Sequence, residues 1–367
     1  MSLTQCLLSI QDSNVLKGVA LILLLWHHLF YVDNGMFSDI NVWGYGLTNQ
    51  IGQLGKVCVA LFVFLSGYGL VVSTDSSNFR LRLFYVKRYT KLYLNYWLIW
   101  LLFVPINILC FDRTFTAVYQ SYVIPKFLID FCGLSCMFGT QTMNPTWWFY
   151  SCIVILYALF PIILSCLEKT KWIVTWLVVS LVIVFIPNLY LLEPVKYYLF
   201  PFLLGCVFGK GSIFNILPPQ YVGPVNIFKR MYNRLIKICK GYGNTMDFVI
   251  LIFVLVVSVV WRNSSTHNLL IDSWLTLLIY VIYLNMNISQ NAKKIMQILG
   301  KHSFNIFLFH TFIYYYWFRN LLYSLNNPIL IFLTLLVVTL VISVGMELVK
   351  NYIGYYKLQT RIINKFA

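Results

Sequence analysis

Lys17 and His28 flank and occupy an apolar run, VALILLLWHHLFYV, that is suited to crossing a lipid bilayer. Ionisable groups at membrane depth relay protons or hold anionic substrates, and they are functional candidates by default. In a helix this spacing leaves about 20° of net rotation and roughly 16 Å of rise, so the two groups share a face, with the cation nearer one membrane surface. His27 lies roughly 80° off that face. A snorkelling lysine with an interfacial histidine is the alternative reading. A second pair argues against it. Ser303 and His310, in LGKHSFNIFLFHTFIYYY, again fall about 20° from a shared face, with His310 roughly 10 Å further along the helix. One intramembrane histidine is readily a packing element; two, with cations nearby, point to a site.

Other polar groups are grouped along the chain. Ser66, Gly67, Tyr68 and Gly69 interrupt the apolar KVCVALFVFLSGYGLVV, where small residues admit a neighbouring helix or a ligand. Arg88 and Lys91 are three apart on one side of the next helix, a repulsion that an anionic ligand would reverse; a solvated membrane anchor is the other reading. Further on, NPTWWFYSCIVILYALFPII opens on an Asn-Pro turn, with Trp147 and Trp148 at the expected membrane interface and Tyr157 and Pro161 one turn apart.

The elements that must position these groups are membrane helices. The chain has 367 residues, 60% hydrophobic and only 10% charged, which describes a polytopic membrane protein rather than a soluble domain. About ten spans fit, near 15-32, 52-73, 89-109, 147-167, 171-189, 194-209, 247-261, 269-287, 303-323 and 328-349. The expected fold is all-α, a single helix bundle over residues 1-367. Residues 120-138 fit a re-entrant or interfacial element, and 210-246 a basic connecting loop. The formal charge of +16 is topological rather than a sign of nucleic acid binding. Of 27 Lys and Arg, only Lys56, Arg113, Lys126, Lys196, Arg262 and Arg319 fall on one side, and Lys17 lies at the entry of the first span. The rest fall in alternate connections and the tail, which places both termini in the cytoplasm. The first span lacks the flanks of a cleavable signal. Nine cysteines without a CxxC pair suggest neither a metal site nor a disulfide framework.

In order and spacing, these segments resemble the acyltransferase 3 family, integral membrane proteins that O-acylate sugars. The ten-residue gap between Lys17 and His28 is similar to that between an Arg and a His in the family's first helix. LFVFLSGYGL at 61-70 resembles its FFVLSGFL phrase. Arg88, Lys91, Tyr93 and Trp97 resemble its basic entry to the third helix. Trp148, Tyr157 and Pro161 resemble the pattern of its fourth, and Leu299, Gly300, Ser303, Ile306, Leu308 and His310 its LGxxSxxIYLxH. The chain departs from the family in having Lys at two Arg positions, which loses the planar guanidinium fork. Ile153 stands where many members carry a Glu.

The resemblance implies transfer of an acyl group from acetyl-CoA to a hydroxyl of a cell-surface carbohydrate. His28 would then be the base or acyl relay, with His310 and Ser66 as further catalytic candidates along the acyl channel. Lys17, Arg88, Lys91 and Ser303 would receive coenzyme A. Glu347 is the candidate carboxylate to orient His28. Trp43, Tyr45 and Tyr190 would stack on a sugar or sit in the headgroup belt. The competing class is a transporter or flippase, which would use the same His and cations without chemistry. No second copy of the HH or SGYG segments supports the repeats that such a protein would carry.

Overall fold

The structure, a computed structural model, describes residues 8–32, 35–42, 45–74, 78–167, 169–186, 193–210, 234, 237–238, 241–264 and 268–366. Trp43, Tyr190 and most of the 210-246 loop lie outside them.

Each predicted apolar stretch is helical, with shifted ends. The first helix, α1 (Ile10–Phe30), starts earlier than its apolar run, because Ser9 and Asp12 form a capping box that supplies the free N–H groups of the first turn. The second is broken at Gly55 and Lys56 into α2 (Leu47–Leu54) and α3 (Val57–Val72). The third, α4 (Leu81–Phe111), has 31 residues and extends about 46 Å. Short helices α5 (Phe115–Tyr119) and α6 (Val123–Phe131) follow, then α7 (Trp148–Cys166), α8 (Thr170–Val182) and α9 (Glu193–Gly209). Helices α10 (Thr245–Ser264), α11 (Asn268–Asn285) and α12 (Gln290–Thr311) come next. A π-helical turn (Phe312–Trp317), α13 (Arg319–Tyr323), α14 (Pro328–Tyr352) and α15 (Tyr355–Lys365) complete the order. The described strands are Asn41–Val42 and Tyr45–Gly46, paired antiparallel before α2.

Six of these segments are long and apolar enough to cross a membrane: Ile10–Phe30, Leu47–Val72, Leu81–Phe111, Pro145–Cys166, Thr245–Ser264 and Pro328–Tyr352. Other predicted spans fall short in length or are too polar. The Lys171–Phe185 and Leu270–Asn285 helices are short, and α12 opens with the polar QNAKK. With 17 residues, α9 is also short, but most of it is buried among neighbours.

Two close helix contacts set the frame. At the crossing of α1 and α12, a Cβ on Gly300 would lie 1.9 Å from the Asn14 carbonyl oxygen, and one on Gly18 would lie 2.3 Å from that of Met296. Both neighbours are helix backbone, so glycine sets how closely the helices approach. Gly300→Ala must push them apart and is expected to cost about 1–3 kcal/mol, read as a lower thermal unfolding midpoint of the detergent-purified protein. An unchanged midpoint would show that the crossing yields without cost. The second contact joins α3 to α9, where Gly67 meets the Phe202 carbonyl and Gly205 the Phe64 carbonyl. Gly67 of the SGYG segment is therefore a helix-packing residue, leaving Ser66 to face a cavity.

Hydrogen bonds to backbone carbonyls fix α4. Tyr85 and Tyr89 donate to Ala158 and Val154 of α7, and Tyr93 and Trp97 donate to Cys132 and Phe131 after and within α6. The 115-143 segment that α4 holds is organised by Asp130. This fully buried carboxylate accepts from Tyr119, Ser135, Thr142 and the Met143 amide at 2.6–2.9 Å. Burial raises its pKa in spite of these donors. Buried Arg262 of α10 pairs with Asp272 of α11 at 2.8 Å and donates to the Gln53 carbonyl, anchoring the break between α2 and α3.

Candidate active site

Lys17 of α1, Ser66 of α3, Arg88 and Lys91 of α4, Tyr157 of α7 and Ser303 of α12 line one cavity of about 470 Å³. Asn14 and Lys301 line it as well. Four cations thus share a cavity whose described lining includes no carboxylate. Neither Lys17 nor Lys91 makes a hydrogen bond or ion pair with a described residue. Arg88 donates through Nη2 to Ser73 Oγ, while its buried Nε has no partner. Ser303 gives its own proton to the Gly300 carbonyl at 2.8 Å, so its oxygen is left as an acceptor. Cations gathered around one space without a lining carboxylate repel one another, an arrangement whose charge suits a polyanion.

Phe62, Phe149 and Phe307 close this cavity on one side and also line a second of about 310 Å³, which contains His27, His28, Tyr31, Lys56, Thr146 and Trp148. The Phe149 and Phe307 rings meet edge to face at 5.0 Å. The three side chains form an apolar partition between the cations and the histidines. His28 also lines a third cavity of about 330 Å³, together with Tyr31, Tyr314, Tyr315, Arg319 and Tyr323. The order through the bundle is therefore cation cavity, phenylalanine partition, His28, then a tyrosine-lined chamber.

The His28 and His310 rings lie 4.9 Å apart between centroids. His310 is fully buried, and its Nδ1 lies 3.0 and 2.9 Å from the carbonyls of Ile306 and Phe307. Carbonyls only accept, so Nδ1 carries the proton and the buried, unpartnered Nε2 presents a lone pair. Asn144 and Trp147 donate to the Leu308 carbonyl at 3.2 and 2.9 Å, and Thr146 meets Thr311, which holds the turn of α12 bearing His310. His27 is anchored separately, Nδ1 to the Gly52 carbonyl at 2.8 Å. Gly55 permits this contact, since a Cβ there would lie 2.8 Å from His27 Cβ.

The sequence expectation for Glu347 is corrected. Its carboxylate accepts from Lys350 and Asn305, both at 2.7 Å, and from Tyr356, so it is engaged by α12, α14 and α15. Nineteen residues of helix separate it from Pro328, about 28 Å along α14, whereas the end of α1 bearing His28 lies by the start of α14, where Tyr323 donates to the Leu29 carbonyl. Ser66 sits with Lys17 and Arg88 rather than beside the histidines. Asn14 and Lys301 were missed as cavity residues. Asn14 lies three positions before Lys17 and so on the same helix face, a usable signal; Lys301 was absorbed into the positive-inside count.

A bundle with six helices fit to cross a membrane and these linked polar cavities defines a multi-pass membrane protein. The chain belongs to the acyltransferase family whose model is described as Acyltransferase domain (Acyl_transf_3), matched over residues 10–348, nearly its whole length. No curated protein and no solved structure matches it.

Proposed function

We propose that the protein is a membrane-embedded O-acyltransferase that moves an acetyl group from acetyl-CoA to a hydroxyl of a cell-surface carbohydrate. The observation that carries this reading is the shared phenylalanine wall, which joins a cation cavity fit for a polyphosphate to a cavity containing His28. Lys17, Arg88, Lys91 and Lys301 receive the phosphates of coenzyme A, and the thioester end reaches through the partition between Phe62, Phe149 and Phe307. His28 takes the proton of the acceptor hydroxyl as its oxygen attacks the thioester carbonyl. The C–S bond breaks, and the thiolate leaves with a proton returned by the imidazole. His310, whose ring packs against that of His28 at 4.9 Å, holds the His28 ring in place while it takes up and returns that one proton.

The charge bias of the connections supports a cell-membrane protein with both termini cytoplasmic, which puts the cation cavity on the side where acyl-CoA is made. A transporter reading leaves the family's transferase chemistry without a role. The test is thiol release from acetyl-CoA by the detergent-purified chain. Slow acetyl-CoA turnover that accelerates on adding acceptor polysaccharide is expected, and no thiol release under either condition would overturn the assignment.

A further inference from the structure

The chamber beyond His28 is built differently from the cation cavity. Its walls are aromatic, with Tyr31, Tyr314, Tyr315 and Tyr323, and among the described lining residues its fixed charge is Arg319, with no carboxylate. The Arg319 guanidinium sits 5.4 Å over the Tyr315 ring and makes no hydrogen bond or ion pair with a described residue. The π-helical turn Phe312–Trp317 sets this arrangement. Its wide i→i+5 bonding, closed by the Phe318 amide on the Ile313 carbonyl at 3.0 Å, lets Tyr314 and Tyr315 line one chamber while Arg319 starts the next helix. Such turns are enriched at functional sites.

Tyrosine faces suit the apolar faces of a pyranose ring, and a guanidinium fork suits a carboxylate or phosphate held in two parallel hydrogen bonds. On the other side of His28, Lys56 is again a cation with no carboxylate beside it in the cavity lining. We propose that this chamber is the acceptor site and selects an acidic carbohydrate, with the acid group on Arg319 and the ring against Tyr315, which places a hydroxyl at His28. The assignment rests on the acyl-transfer reading for the role of His28, but the selection itself is a binding property.

The test uses the full chain in nanodiscs, titrated with methyl β-glucuronide, glucose 6-phosphate and methyl β-glucoside, for wild type, Arg319→Gln and Arg319→Lys. A charged hydrogen-bonded pair predicts about tenfold tighter binding of at least one acidic sugar than of the glucoside. Arg319→Gln should bring that ratio to within about twofold, and Arg319→Lys should retain part of the preference. Which acidic sugar is preferred identifies carboxylate or phosphate as the recognised group. Equal binding of all three sugars, binding of none, or a preference that survives Arg319→Gln would overturn the proposal. Coenzyme A titrated in the same samples separates the two readings: failure of CoA to bind while an acidic sugar does would overturn acyl transfer from CoA and leave the acid-sugar site standing.

Discussion

Replacing His28 with alanine is expected to lower acetyl transfer by about 10²- to 10⁴-fold while leaving coenzyme A affinity within about twofold of wild type, because a general base contributes on that scale. The split follows from where the residue sits. His28 lines the two chambers beyond Phe62, Phe149 and Phe307, whereas the cations line the cavity before them. His28→Asn keeps a hydrogen-bonding side chain of smaller size and should not restore the rate, since an amide does not take up a proton near neutral pH. Measured by single-turnover transfer from labelled acetyl-CoA, a fall of less than about tenfold would remove the imidazole from the proton-transfer step.

The opposite split is expected for the double substitution Lys17→Ala and Arg88→Ala. Each removes a cation from a cavity without a lining carboxylate, so the loss is not offset by freeing a buried acid. A hydrogen bond to a charged group contributes about 1.5–3 kcal/mol. Both side chains are only half-buried, and solvent screening puts each near the low end, about tenfold in affinity and about hundredfold together. Coenzyme A binding by the wild type should weaken with rising salt, and the double variant should show less of that dependence. Equilibrium binding of coenzyme A to the purified protein reads both effects. Unchanged affinity would place the donor elsewhere. Lys17→Arg, which restores the residue type the resemblance leads one to expect, should bind at least as tightly as wild type.

The sequence was most informative where a helix face alone decides the outcome. The Lys17 and His28 spacing defines one face of α1, and the structure puts Lys17 in the cation cavity and His28 about one partition away. The family, read from short motifs in order, is the one whose model spans residues 10–348. Periodicity names a face but not the helix opposite it. Phe62, Phe149 and Phe307 come from α3, α7 and α12, and nothing in any one of those apolar runs distinguishes them from lipid-facing phenylalanines. Glu347 was misassigned for a related reason. Hydropathy recorded a carboxylate inside an apolar helix but not its position along the bundle, where Lys350 and Asn305 already engage it. Six of the ten expected crossings are long and apolar enough among the described residues, and the others are not separated by hydropathy alone from apolar stretches buried among neighbouring helices, as in α9. Arg262 was counted as a loop charge. Its fully buried pairing with Asp272, ten residues away on the next helix, depends on a contact that only the tertiary structure supplies.

The measurement that bears most directly on the central claim is the ester-linked acetate of the host's surface polysaccharide, compared for the intact chain, its deletion and His28→Ala at matched membrane expression. Loss of acetate in both the deletion and His28→Ala is the result expected of an O-acetyltransferase working through that imidazole. Acetate that stays at the intact level in all three strains would contradict the account.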